Sequence, residues 1–150
     1  MNLFGVMDVS GSALQAERLR AEVVASNMAN ANTTRTPQGG PYQRQEVVFE
    51  SAASDQAAFA SHLLGGNNGE SNGNIGGVKI AAVVSDNSSG LRRYDPGAPD
   101  ADKDGYVTYP DINPLTEMVD LMSATRAYDL NSSAVQATKS MIDTSIDILK

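Results

Sequence analysis

The residues of this 150-residue chain best suited to chemistry lie in one acidic loop at 100–111. Asp100, Asp102 and Asp104 alternate ahead of a glycine, in the D-x-D-x-D-G order of loops whose carboxylates surround Ca²⁺. Asp111 stands where such loops place a bidentate glutamate, and prolines on both sides prevent the usual flanking helices. We therefore expect an acidic turn without metal or cofactor, and keep a low-affinity Ca²⁺ site as the alternative.

Other groups that could perform catalysis are scarce. The chain has no cysteine and a single histidine, His62, which lies in a stretch rich in Gly, Ala and Asn. Thiol chemistry and thiolate metal sites need cysteine, and a Ser-His-Asp relay needs a rigidly held imidazole. We therefore predict that the protein is not an enzyme.

Charge is concentrated in the middle of the chain. Residues 1–35 carry three acids and three bases, residues 36–112 ten and five, and residues 113–150 five and three, giving net charges of 0, −5 and −2. Phosphate binding needs a basic footprint, so nucleic acid is not an expected partner.

We do not expect a Sec signal peptide, because no basic residue precedes Arg18. We also do not expect a membrane-spanning segment, because no apolar run is long enough.

A long helix is predicted at the C-terminal end of the chain, directly after the acidic loop. Residues 115–150 contain no Gly or Pro, and Asn113 and Pro114 supply an N-cap and a first helical residue. An apolar row recurs there at intervals of seven: Leu121, Tyr128, Val135, Ile142 and Leu149. Because further rows flank it, the stripe is wider than one partner helix covers. Such a helix needs a second helix and, we expect, other chains.

The N-terminal residues 3–32 supply a partner helix. Their apolar face is formed by Leu3, Met7, Leu14, Ala21, Val24 and Met28. Neighbouring alanines allow close approach, so we expect the two terminal helices to pair as a coiled coil. The alternative, in which both are ordinary core helices of a globular bundle, stays open.

The middle of the chain predicts short strands. Candidates lie at residues 42–50, 77–84, 91–94 and 106–109, and we expect three or four of them to form a small antiparallel β element. A stretch at 51–76 separates the first two, with a short helix expected at 57–64 and a flexible loop at 65–77. The predicted fold is mainly α with a small β insert. Residues 1–35 and 113–150 form its helical domain, and 36–112 its middle domain.

Motifs at both ends and in the middle of the chain resemble one family. The terminal motifs are SGSAL at 10–14, ASNMANANT at 25–33, EMV at 117–119 and MSATRAY at 122–128. The internal ones are PYQR at 41–44, VVF at 47–49, GGVK at 76–79, YDPG at 94–97 and DKDGYV at 102–107. Together they resemble bacterial flagellar basal-body rod proteins, closest to a protein of the proximal rod, and only the stretch at 51–75 is longer than expected there.

The resemblance implies a structural, non-catalytic subunit of the bacterial flagellum that supports motility. It implies export by the flagellar type III apparatus and helical assembly into the periplasmic rod, a drive shaft built from copies of this chain and other rod proteins. Components on the MS-ring and export-gate side are further expected contacts. The expected subunit-packing residues are Leu14, Ala21, Val24, Met28, Leu121, Tyr128, Val135, Ile142 and Leu149. A Ca²⁺-binding module and a soluble helical adaptor remain rival interpretations.

Overall fold

The computed structural model of the chain describes residues 3–52 and 76–148, with side chains from residue 5 onward. Helix α1 (Leu3–Ala29) and helix α2 (Pro114–Ile148) are the two long elements. Four strands separate them: β1 (Gln45–Ser51), β2 (Val78–Ser85), β3 (Leu91–Tyr94) and β4 (Tyr106–Tyr109). This order confirms the predicted mainly α fold with a small β insert. His62 and the predicted helix at 57–64 lie outside the described residues.

The start of α2 follows the local sequence closely. Asn113 Oδ1 accepts a hydrogen bond from the Leu115 amide at 3.0 Å, and the Asn113 carbonyl accepts one from the Glu117 amide at 3.1 Å. The first bond satisfies an amide that has no partner within the helix, the second is the first i→i−4 bond of α2, and Pro114 has no amide hydrogen to satisfy. The predicted N-cap is therefore confirmed. The 35 residues of α2 extend over roughly 50 Å.

The two helices lie side by side and run antiparallel. Near the end of α1, Asn27 contacts Glu117 at the start of α2, whereas Arg20 contacts Asp120 at 3.5 Å. Further along, Glu17 of α1 lines the same groove as Tyr128 and Asp129 of α2. Residue numbers therefore fall along α1 as they rise along α2. The predicted pairing of the terminal helices is present, and coiled-coil packing geometry stays a prediction.

The row of α2 that α1 covers best differs from the predicted apolar row. Its buried members are Glu117, Ala124 and Thr138, spaced at seven and fourteen residues. Leu121 and Val135 of the predicted row are half-buried beside it. A small or hydrogen-bonded side chain lets two helix backbones approach more closely than a branched apolar one does. The contact between the helices is therefore centred on a row that is offset by three or four residues from the row that hydrophobicity indicates.

The four strands form two separate hairpins rather than one sheet. β1 pairs with β2 and β3 pairs with β4, both antiparallel. The turn after β2 separates the two hairpins, because the Ser88 amide donates to Asp86 Oδ1 at 3.0 Å in an Asx turn. The bounds of β3 and β4 match the prediction, while β1 begins at Gln45, three residues later than predicted.

The first hairpin is fastened to α1 at Ser12. Its hydroxyl donates to the Val9 carbonyl at 2.7 Å and accepts from the Val78 amide at 3.1 Å. A Cβ atom on Gly77 would lie 2.6 Å from Ser12 Oγ, so this approach requires a glycine.

Few large apolar side chains are buried in the described residues. The buried apolar residues are Ala16, Val23, Val24, Val107, Ile112 and Ala124. The private core of the described chain is therefore small.

Candidate assembly surface

A buried carboxylate joins α1, α2 and the residue that immediately precedes β1. The Glu117 side chain is 1% exposed, and Arg44 Nε donates to its Oε1 at 2.7 Å. Asn27 Nδ2 donates to its Oε2 at 3.2 Å. We call Asn27, Arg44 and Glu117 the polar clasp. Because both carboxylate oxygens are bonded, burial of this charge is compensated.

Asn27 also explains where β1 begins. Its Nδ2 donates to the Gln45 carbonyl at 2.8 Å, and its Oδ1 accepts from the Gln45 amide at 2.9 Å. The side-chain amide thus pairs with both backbone groups of one residue, as a neighbouring strand would. Tyr42 is held differently, since its hydroxyl donates to Asn27 Oδ1 at 3.1 Å and its amide donates to the Thr33 carbonyl at 3.0 Å. Residues 42 and 43 therefore follow α1, while the Arg44 carbonyl already accepts from the Asp86 amide at 2.7 Å, next to the first pair of the ladder.

Three carboxylates surround the Arg44 guanidinium. Besides Glu117, its nitrogens lie 3.8 Å from Asp120 and 3.9 Å from Glu46. The hydrogen bond to Glu117 is the main reason why the pKa of Arg44 is raised above its ordinary value, and partial burial only partly opposes it. The resulting stabilisation is complete below the ordinary arginine pKa and is lost only as pH rises through the raised value. Arg44 therefore does not act as a pH switch near neutrality.

The opposite face of α2 carries an uncovered apolar surface. At 100° per residue, it lies across the helix from the row that contacts α1. Leu115 and Leu130 are each 72% exposed, and Ile148 is 80% exposed. We define the outer stripe as Leu115, Val119, Met122, Leu130, Met141 and Ile148. Ser133 and Ser140 interrupt the stripe between Leu130 and Met141, and its densest part is the cluster from Leu115 to Leu130. Clustered exposed apolar side chains are typical of surfaces that bind a partner.

The outer stripe contains a shallow cavity of about 470 Å³. Val119, Met122 and Leu130 supply its apolar walls, and Arg126 lies among them.

Within residues 3–52 and 76–148, neither α1 nor α2 has a segment long and apolar enough to cross a bilayer.

A second depression runs between the helices. This groove has a volume of about 550 Å³, and its alanines, Ala21, Ala25 and Ala124, form a low floor. Glu17 and Asp129 are among the charged residues that line it. The outer stripe and the groove are therefore different surfaces of the same helical pair.

The predicted packing residues lie mostly along the contact between α1 and α2. Val24 is buried and Tyr128 is 43% exposed beside the groove. The half-buried members are Leu14, Ala21, Met28, Leu121, Val135 and Ile142, and Leu149 lies outside the described residues. Whether they contact other subunits stays a prediction. The outer stripe was not among the predicted packing residues, although the steps of four and three residues from Leu115 through Val119 to Met122 are visible in the sequence.

The acidic loop uses its carboxylates locally. Asp100 Oδ2 accepts from the Thr34 hydroxyl at 2.8 Å, and Asp102 Oδ2 accepts from Arg92 at 3.1 Å. Asp102 Oδ1 accepts from the Asp104 amide at 2.7 Å, which makes an Asx turn ahead of Gly105, whose φ is 80°. Among the described residues, no three His, Cys, Asp or Glu side chains are arranged to hold a metal ion. The loop therefore forms the turn between β3 and β4, and Asp100 attaches it to Thr34 in the segment after α1.

Two known families match the ends of the chain. The family described as flagella basal body rod protein matches residues 7–35. The family described as the C-terminal part of flagellar basal body rod FlgEFG proteins matches residues 103–148. These ranges contain most of α1 and all of β4 and α2, which are the elements that form the helical pair and carry the outer stripe.

Individual relatives align along nearly the whole chain. The flagellar basal-body rod protein FlgC of Bacillus subtilis is 41% identical over 155 residues, covering 100% of both proteins. That of Borreliella burgdorferi is 38% identical over 157 residues, covering 100% of this chain and 99% of the relative. That of Salmonella typhimurium is 38% identical over 143 residues, covering 95% and 94%.

Proposed function

This chain belongs to the FlgC family of flagellar basal-body rod proteins, and we propose that the outer stripe of α2 is the surface through which it enters the rod. The chain is a structural rod subunit, and its relatives are named as rod proteins rather than enzymes. The observation that carries the proposal is the exposure of Leu115, Leu130 and Ile148 on the face that α1 does not cover.

Covering the outer stripe would add a large free energy compared with what the few buried apolar side chains of the monomer contribute. Burying one large apolar side chain contributes about 1.5–3 kcal/mol. For the six side chains of the stripe, this sums to on the order of 10 kcal/mol before the cost of association is subtracted. A neighbouring subunit that covers the stripe therefore supplies stabilisation that the small private core does not.

We propose that copies of this chain and other rod proteins supply this cover, and that components on the MS-ring and export-gate side make further contacts. The outer stripe lies opposite the α1 contact, so a neighbour that covers it does not displace α1. If the stripe of one subunit meets a different surface of the next, the contact is heterologous and repeats along a helical assembly. Tyr128, exposed beside the groove, is the predicted packing residue best placed to reach a neighbour.

We further propose that the subunit reaches a periplasmic rod unfolded, through the flagellar type III apparatus. The small core supports this proposal, because only six apolar side chains of the described residues are buried. A chain with little private burial is less costly to unfold before export and gains order when its neighbours cover it.

The test is to image the protein in its assembly. A tagged copy is expressed in a strain that lacks its own FlgC, basal bodies are purified, and the rod is reconstructed by electron cryomicroscopy. We expect density for α1 and α2 within the rod, with Leu130 and Val119 buried against another subunit. A rod in which the outer stripe faces solvent would overturn the proposed surface. Absence of the tagged chain from intact rods would overturn the proposed function.

A further inference from the structure

A cation without a counter-charge of its own lies among the residues of the outer stripe. Arg126 lies within the cavity formed by Val119, Met122 and Leu130. Within the described part of the chain, no carboxylate lies within 4.0 Å of its guanidinium. If a neighbour covers the stripe, the guanidinium loses water and must find an acceptor on that neighbour, because an unpaired buried charge is strongly unfavourable.

The groove between α1 and α2 has the opposite character. The Glu17 side chain is 17% exposed, its Oε2 is fully buried without a hydrogen bond, and the nearest cation is Arg20 at 3.7 Å. Asp129 lines the same groove and makes no ion pair with the other described residues. Arg18 is paired with Glu22 at 3.0 Å and does not neutralise them. The groove therefore carries net negative charge: Asp129 is exposed and has no ion pair with the other described residues, and Glu17 is paired only with Arg20, at 3.7 Å through the buried Oε2.

The shape of the groove suits a helix. Ala21, Ala25 and Ala124 line it, and small side chains allow the backbone of another helix to approach closely. A guanidinium has five donors in a fixed plane and can bind two carboxylates at once, which an ammonium group does less well.

From these two surfaces we infer that the groove of one copy receives the outer stripe of a second copy, whose Arg126 lies between Glu17 and Asp129. This inference rests on the proposed function and specifies its contact. The two surfaces belong to different faces of one subunit, so the contact is heterologous and each copy can both offer and receive a stripe. The apolar side chains supply the burial, and the charge pairing fixes the register.

The first test removes the charge. Arg126→Gln should lower the amount of protein retained in purified basal bodies about tenfold or more, because loss of one partner of a desolvated ion pair slows association and speeds release. Lys139→Gln, which removes an equal charge from the same helix outside the groove and the cavity, should leave retention unchanged. Circular dichroism should show equal helix content in both variants. Retention of Arg126→Gln at the unmodified level would overturn the inference.

The second test uses the absence of natural cysteine. One copy carries Ala21→Cys in the groove and a differently tagged copy carries Ser123→Cys beside the cavity, and basal bodies that contain both are treated with a short bismaleimide. We expect an adduct that carries both tags. An adduct only between two Ser123→Cys copies, or none, would overturn this pairing. The proposed function would still stand if outer-stripe variants fail to assemble, and would fail with the inference if they assemble normally.

Discussion

The inward and outward faces of α2 differ in which side chains they bury: the inward face buries a charged group, and the outward face exposes apolar ones. The inward face buries the carboxylate of Glu117 and satisfies it with Arg44 and Asn27. The outward face leaves Leu130 72% exposed. A monomer selected only for its own stability would place these side chains the other way round. The difference supports the proposal that polar groups fix the register of the two helices, while the outward apolar groups contact other chains.

This division has a thermodynamic reason. A buried ionic network is weak support for stability, because desolvation offsets much of its attraction, but it is strongly unfavourable when a partner is missing. The polar clasp therefore penalises any other register of α1 against α2. Apolar contacts are far less directional, so they suit a surface that must associate with neighbours.

The largest effect should come from placing a charge on the outward face. Leu130→Asp should abolish incorporation into the rod and motility in soft agar, because the lattice would bury an unpaired carboxylate in every subunit. The unfolding midpoint of the isolated chain should hardly change, since Leu130 is exposed there. Gln136→Asp, at an exposed polar position of the same helix, is the matched control and should leave cells motile. Motile Leu130→Asp cells with normal rods would contradict the distinction between the two faces.

Breaking the inward face should instead destabilise the monomer. Glu117→Ala leaves Arg44 without its closest partner and removes a buried acceptor from Asn27, so we expect a loss of about 2–3 kcal/mol in the free energy of unfolding. Asp143→Ala, which removes an exposed acid from the same helix, should cost less than about 0.5 kcal/mol. Urea denaturation followed by circular dichroism measures both. Equal stability of the two variants would show that the clasp does not hold the helices.

A smaller loss is expected from the neutral member of the clasp. Asn27→Ala removes the side chain that bonds both backbone groups of Gln45, and should cost about 1–2 kcal/mol. Hydrogen exchange should be faster at the start of β1 than in the unmodified chain, while exchange in the second hairpin stays the same. The exposed Asn32→Ala is the control for loss of an amide side chain. Unchanged exchange at Gln45 would show that β1 is positioned by the hairpin alone.

The smallest effect should come from the acidic loop, which lies on neither face. Asp102→Asn together with Asp104→Asn keeps an acceptor for the turn but removes the exposed ion pair with Arg92. Exposed pairs contribute about 0–1 kcal/mol, so stability and rod assembly should be nearly unchanged. Calorimetry with Ca²⁺ should give no binding heat for the unmodified chain. Failure of the double variant to assemble, or saturable Ca²⁺ binding, would make the loop a functional ion site.

Local signals in the sequence were sufficient for several elements. Asn113 and Pro114 indicate where α2 begins, because a cap and a residue without an amide hydrogen act within one helical turn. The alternation at 106–109 indicates β4 for the same reason, since strand periodicity is a property of neighbouring residues. The terminal motifs likewise indicate the rod family, because each of them is a contiguous run of residues. Each of these signals depends on residues that are close together in the chain.

The tertiary structure alone decided which residues of α2 are buried most deeply against α1 and which face of α2 that helix leaves uncovered. Hydrophobic periodicity favoured the row through Leu121, but Asn27 and Glu117, 90 residues apart, set the register instead. A buried carboxylate is tolerated only where distant partners reach both its oxygens, and nothing in the sequence around Glu117 indicates that Arg44 and Asn27 do so. The sequence by itself thus determined the helices and the family. The pairing of distant polar groups determined how those helices face each other.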